Sequence, residues 1–275
     1  MSVLLLVLSA LLFSHNGGVR THRDLRYYDG QNAHPTKHLL DLYLPYRPTG
    51  FPLLVFIHGG AWSRGDKAAY AGAYEYLGTR VAGQEVGVAV INYRLSPEVT
   101  HPEHARDVAR AVAWLYRNSS KYGWSPGRIY LVGHSAGAHL AALVAVEPSY
   151  LQAHSLNPQI IKGVVAISGV YDLTVGGVTA KMLYEPVFGS DSQGLAEASP
   201  ALHLTKKNPP FLVLYAQNDY PSLDVQARRF QKALKEAGIQ VKAAMIPGRD
   251  HVSIISGLAR EGDPVRDMVL EFVKP

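Results

Sequence analysis

The sequence predicts an α/β protein: one domain with a mostly parallel central sheet and helices on both faces. Three observations carry this. Continuous apolar runs of strand length, Phe51 to Ile57 and Phe211 to Tyr215 among them, read as strands buried on both faces. Stretches of helical spacing separate such runs, so strands and helices alternate along the chain. Finally, Gly133-His134-Ser135-Ala136-Gly137 stands between an apolar run and an Ala-rich helical stretch, the context of a sharp strand-to-helix turn with serine at its apex.

A chain of 275 residues, 47% apolar and 18% charged, is long enough to bury one large core. The net charge of +5 is spread out, with no Arg/Lys runs interleaved with aromatics, so nucleic-acid binding is not expected. The absence of cysteine excludes disulfides, thiolate metal sites and a cysteine nucleophile.

In chain order, Val3 to Phe13 is an apolar run too short to span a bilayer as a helix. It has the length of a signal-peptide core, but no Lys or Arg precedes it. Residues 1–20 are therefore set apart as a signal peptide or cap helix, and residues 21–275 form the domain. If that run is a signal or anchor, the protein is exported or touches a membrane; otherwise it is cytoplasmic. Asp24 to Tyr28 and His38 to Leu44 read as strands, followed by a turn at Pro45, Pro48 and Gly50. After the strand Phe51 to Ile57 come a helix over Ala68 to Ala82, a strand over Val86 to Ile91 and a helix over Ala105 to Tyr116. The serine turn leads into a helix over Ala136 to Val146, then a strand over Gly163 to Ile167. Residues 168–207 read as an excursion with short helices. A helix over Leu223 to Ala237, a strand over Gln240 to Ile246 and a helix over Val265 to Val273 complete the chain.

A serine hydroxyl is a weak nucleophile and needs a base, with a third group to orient that base. On a strand–turn–helix serine of this kind, the carboxylate and then the histidine follow in sequence. Asp219 falls just after the strand Phe211 to Tyr215, and His251 lies in what reads as a loop, Pro247 to His251, after the next strand. Both would join Ser135 at the carboxyl edge of the sheet. Asp224, inside a helix, is the weaker candidate, and Asp250 reads as a loop or surface group. Oxyanion stabilisation requires backbone N–H donors. The N–H of Ala136 is one, and the small loop Gly59-Gly60-Ala61 can aim others. His101 and His104 read as part of a helix start rather than a metal pair.

With these residues assembled, the chain from about Leu39 to Val273 resembles the α/β-hydrolase superfamily, specifically small esterases of the hormone-sensitive-lipase and feruloyl-esterase-like branch. The resemblance rests on His58-Gly59-Gly60-Ala61-Trp62, Gly65-Asp66-Lys67, Asn92-Tyr93-Arg94-Leu95, Gly133 to Gly137, Asp219 and Asp250-His251. It implies catalytic Ser135, Asp219 and His251, with oxyanion donors at Gly60, Ala61 and Ala136. Kynurenine formamidases are similar too, through the oxyanion loop, Gly133 to Leu140 and Ser168 to Leu173. The expected activity is a serine carboxylesterase for small acyl or aryl esters, with an arylformamidase as alternative. The complete residue set argues against a non-catalytic binding protein on the same fold. Neither reaction requires a metal or organic cofactor. Trp62, Tyr70 and Tyr184 are the aromatic candidates for the substrate pocket.

Overall fold

A computed structural model describes residues 18–46, 49–175 and 178–274, excluding the side chains of residues 70–71 and 178–181. The apolar run Val3 to Phe13 and the turn residue Pro48 lie outside the described residues.

Eight strands form one sheet: β1 (Val19–Arg26), β2 (Leu39–Pro45), β3 (Phe51–Ile57), β4 (Gly87–Ile91), β5 (Trp124–His134), β6 (Ile161–Ile167), β7 (Phe211–Asn218) and β8 (Val241–Asp250). Their spatial order is β1-β2-β4-β3-β5-β6-β7-β8. β1 and β2 join antiparallel at one edge, and every pair from β4 across to β8 is parallel. The helices are α1 (Ala69–Ala82), α2 (Glu103–Arg117), α3 (Ser119–Tyr122), α4 (Ala136–Val146), α5 (Ser149–Gln152), α6 (Val178–Phe188), α7 (Ser192–Glu197), α8 (Leu223–Glu236), α9 (Ser253–Ser256) and α10 (Pro264–Val273). This is the α/β-hydrolase architecture, with α6 and α7 in the excursion between β6 and β7.

The period of two along each strand divides the core between the two faces. In β3, Leu53, Val55 and Ile57 face α2, α4 and α8, whereas Leu54 and Phe56 face α1, α9 and α10. Residues of α4 are buried along its whole length, as its uniformly apolar sequence requires of a helix enclosed on all sides.

The structure corrects three boundaries. β1 starts at Val19, so Val19 and Arg20 belong to the sheet, where they pair with Pro45 and Leu44, rather than to a separate N-terminal segment. This edge strand is paired but only partly covered, and lacks the apolar alternation that would mark it. β7 runs on to Asn218 and β8 to Asp250, so Pro247 to Asp250 is strand and not loop. An irregularity after Ala216 shifts the register, pairing Asn218 with Asp250, and the Gln217 side chain accepts from the Gly248 N–H at 2.8 Å.

Where β4 ends, a buried ion cluster ties the sheet to α2. Asp107 has no exposed surface, and the Arg94 guanidinium clamps it through Nε at 2.8 Å and Nη2 at 2.9 Å. The Arg94 N–H donates to it at 3.0 Å, Arg110 Nη1 at 2.5 Å, and His38 Nε2 lies 3.0 Å away. Although burial pushes the carboxyl up, His38 and Arg94 hold it well below the usual carboxylate range. Its contribution to stability is complete above an unfolded pKa of about 3.9 and is lost as pH falls toward the folded value. Asp107→Ala leaves the guanidinium groups without their carboxylate. The expected loss is about 3–5 kcal/mol, read from the urea midpoint at neutral pH, with a smaller difference from the parent in strong acid.

Candidate active site

β5 ends at His134 and α4 starts at Ala136, leaving Ser135 as the whole of the turn, with φ 56° and ψ −120°. For a residue with a side chain, that conformation costs on the order of 1–3 kcal/mol and must be held by its surroundings. The Ser135 N–H donates to Ile167 O at 2.9 Å, and its carbonyl accepts from Ala138 and His139 at 2.9 and 3.1 Å. The flanking glycines are steric necessities. A Cβ on Gly133 would lie 2.1 Å from Gly137 O, and one on Gly137 would lie 2.1 Å from Ile57 O.

Asp219 and His251 follow directly on Asn218 and Asp250, the paired last residues of β7 and β8, so the register sets them side by side. His251 Nδ1 donates to Asp219 Oδ1 at 2.7 Å. The same oxygen accepts from the Tyr220 N–H at 2.9 Å, while Oδ2 accepts from Ser168 Oγ at 2.6 Å and the Ala216 N–H at 3.1 Å. Burial pushes the carboxyl up, but the donors from His251, Ser168 and Ala216 outweigh it and hold Asp219 below the usual carboxylate range. Tyr220 stacks on the His251 ring at 4.1 Å. On another side, His134 donates from Nε2 to the His251 carbonyl at 2.8 Å. Burial lowers His134 to about 4, so this support stays neutral. Asp224 is spent elsewhere, paired with Arg228 on α8, and Asp250 caps the turn at Val252 and Ser253.

The loop after β3 comes against the serine turn: a Cβ on Gly59 would lie 3.1 Å from Ser135 Cβ. Gly60, Ala61 and Trp62 all have positive φ, at 121°, 50° and 57°. Successive residues bent this way turn their N–H groups inward, and those of Gly60 and Ala61 have no hydrogen-bond partner among the described residues. With the N-terminal N–H of Ala136, they form the candidate anion site. Side chains brace the loop from below. His58, buried and lowered to about 4, donates from Nδ1 to Gly59 O at 2.8 Å and stacks on Tyr93. Asp66 accepts from Lys37 and Asn92, both at 2.8 Å, and Lys67 joins Asp24 and Asp41, also at 2.8 Å. Gly65-Asp66-Lys67 is thus a bolt between the loop and the sheet edge.

Of the three aromatic pocket candidates, Trp62 is 1% exposed and packs edge-on against His139, Tyr184 and Phe188. Its Nε1 donates to His139 Nδ1 at 3.2 Å, and His139 Nε2 donates to Ala198 O at 2.7 Å. Tyr184 is also buried, against Trp62, so both are structural walls rather than open lining. The Tyr70 side chain lies outside the described residues.

A family model, BD-FAE, matches residues 40–234. The chain belongs to the BD-FAE family. It is 33% identical over 222 residues to the probable carboxylic ester hydrolase LipM of Mycobacterium tuberculosis, covering 76% of this chain and 51% of LipM. Kynurenine formamidase of Salmo salar is 31% identical over 230 residues, 82% of this chain and 74% of that enzyme. Among solved structures, a truncated carbohydrate esterase from gut microbiota superposes with a TM-score of 0.78, covering 94% of this chain and 97% of that one. At 20% identity, this last likeness concerns the fold alone. The chain spans about half the length of the first curated relatives it matches.

Sequence reasoning missed Ser168 in this BD-FAE site. It is fully buried, has φ 51°, and is anchored by its N–H to Leu214 O at 2.8 Å, which aims its hydroxyl at Asp219. The only hint was Ser168-Gly169 at the end of a buried strand, where a small residue after a polar one marks a tight approach. A Cβ on Gly169 would lie 2.8 Å from Ala138 Cβ. Ser168→Ala removes one of four donors to Asp219 and so raises its pKa. Carboxyl 13C NMR titration reads that rise directly. Since a depressed carboxylate loses its stabilising effect as pH falls through its folded value, acid unfolding should begin at higher pH in this variant.

Proposed function

We propose that this protein is a serine carboxylesterase for small acyl or aryl esters, acting through an acyl-enzyme intermediate. Ser135 is the nucleophile, His251 the general base and acid, and Asp219 the carboxylate that orients it. The observation that carries this reading is the 2.7 Å bond from His251 Nδ1 to Asp219, next to a serine turn with φ 56°.

An ionised carboxylate only accepts, so the His251 proton resides on Nδ1 and Nε2 keeps a lone pair for the Ser135 hydroxyl proton. As Oγ bonds to the substrate carbonyl carbon, that proton moves to Nε2. The carbonyl oxygen takes up the electron pair beside the N–H groups of Gly60, Ala61 and Ala136, each such donor being worth roughly 3 kcal/mol of barrier. The intermediate collapses by breaking the carbon–oxygen bond, and His251 returns its proton to the leaving alcohol. Water then gives a proton to His251 and its oxygen to the acyl carbon, releasing acid and restoring Ser135.

A second reading is favoured by one observation, the match to 74% of a kynurenine formamidase. The same steps would cleave a carbon–nitrogen bond, and pocket shape would decide.

Ser135→Ala and His251→Ala should each lower turnover of p-nitrophenyl acetate by at least about 1,000-fold, and Asp219→Asn by about 10,000-fold through the wrong tautomer. A fluorophosphonate should label Ser135 and no other residue, as read by peptide mass spectrometry. Folded Ser135→Ala protein with near-normal turnover would overturn the reading. For the substrate class, the measurement is kcat/KM on p-nitrophenyl acetate against N-formylkynurenine, each divided by its uncatalysed rate. An enhancement more than tenfold larger for the formamide, about 1.4 kcal/mol, replaces the esterase with the formamidase.

A further inference from the structure

The side chain of Tyr220 is not used to hold the fold together. The residue is 59% exposed, and its hydroxyl has no hydrogen-bond partner among the described residues. Its main chain is fixed on both sides instead. The N–H donates to Asp219 Oδ1 at 2.9 Å, and the carbonyl accepts from the Leu223 N–H at 3.2 Å, where α8 begins. An aromatic ring left this open to water gives up much of the burial that usually places an aromatic. What the ring does meet is the His251 imidazole.

The two rings lie 4.1 Å apart and 23° from parallel, so the imidazole sits against the face of the phenol ring. That face carries the negative part of the ring quadrupole. Toward a neutral imidazole it offers a modest stacking contact. Toward an imidazolium it offers a cation–π attraction, well inside the roughly 6 Å over which that attraction acts.

The other neighbours of His251 leave this task open. Asp219 meets the charge only at the Nδ1 edge, at 2.7 Å. His134, whose ring lies 4.7 Å away, is lowered to about 4 by burial and directs its N–H at the His251 carbonyl. Asp250 is turned to the N–H groups of Val252 and Ser253.

In the reaction proposed above, the imidazole becomes an imidazolium each time Ser135 or water gives up its proton. A contact that is stronger to that charged form than to the neutral one lowers the barrier. We infer that the Tyr220 ring stabilises the His251 imidazolium during proton transfer, speeding acylation and deacylation alike without touching the ester. Acting through His251, Tyr220 is a positioning residue. This rests on the esterase reading and adds a residue to it.

The test changes the ring in steps. Tyr220→Phe keeps the face and drops only the unbonded hydroxyl, so kcat/KM for p-nitrophenyl acetate should stay within about twofold. Tyr220→Leu keeps bulk but not the face, and should lower kcat/KM about fivefold, about 1 kcal/mol. Replacing Tyr220 by phenylalanines that carry one, two and three ring fluorines preserves the ring's shape while draining electron density from its face. Across that series kcat should fall with each fluorine toward the leucine value, with KM unchanged. The rate of fluorophosphonate labelling at Ser135, which needs the same proton transfer, should follow. Because the position is exposed, the thermal midpoint should not move.

A ring that only braces His251 by its shape would give a flat fluorine series, and that result, or full activity in Tyr220→Leu, would overturn the assignment. Ethyl acetate and hexyl acetate should lose about the same factor as p-nitrophenyl acetate. A loss confined to the aryl ester would also overturn it, since Tyr220 would then be touching the leaving group. A parent protein that labels and turns over esters while the series stays flat defeats the Tyr220 inference alone. A parent that neither labels nor turns over any ester defeats the esterase reading and this inference with it.

Discussion

The absence of room around Ser135 is the constraint on which the site depends. Gly133 and Gly137 touch each other's backbone, and Gly137 lies on the carbonyls of Ile57 and His58. That contact locks the start of α4 onto the end of β3, and the loop after β3 must then pass directly beside the serine. Three consecutive positive φ angles are the backbone's response to so short a path. The strain at Ser135, Ala61 and Trp62 persists because close packing leaves no lower-energy arrangement within reach.

Around this strained core, buried histidines act as neutral connectors. His58, His134 and His139 each direct one ring N–H at a main-chain carbonyl, at Gly59, His251 and Ala198 respectively. Burial lowers all three, to about 4, 4 and 3, so near neutral pH they hold the loops without adding charge. The charged fastening is kept at a distance, in the Asp66–Lys67 bolt and the Asp107 cluster.

How much of this the sequence disclosed follows from what sequence patterns record. β3, β5 and β7 declare themselves as apolar runs because both their faces are covered. Ser135 declares itself through glycines that a tight turn demands. Asp219 and His251 could be placed after strands, but their adjacency could not be derived. It depends on Asn218 pairing with Asp250 across polar residues that carry no alternation. Ser168 stayed hidden for a related reason, since a lone buried hydroxyl leaves no periodic trace. Trp62 misled because an aromatic after an oxyanion-type loop reads as pocket lining, whereas its indole N–H is engaged by His139, a partner 77 residues away. Edge strand β1 was placed late because only its pairing with β2, and not its own composition, defines it.

The excursion between β6 and β7 is fixed at several points: Gln226 accepts from Tyr171 and Asp172, Tyr184 and Phe188 pack on Trp62, and the Val187 carbonyl accepts from the His101 N–H. Ser168, at its start, is bonded to Asp219, and Ala198, past its helices, is bonded to His139. The stretch between those ends therefore also braces the loop beside the serine, since Tyr184 and Phe188 hold Trp62 and Phe188 lies against His139. The excursion is therefore a strut rather than a free loop, and a change in its length would be felt by the backbone on either side of Ser135.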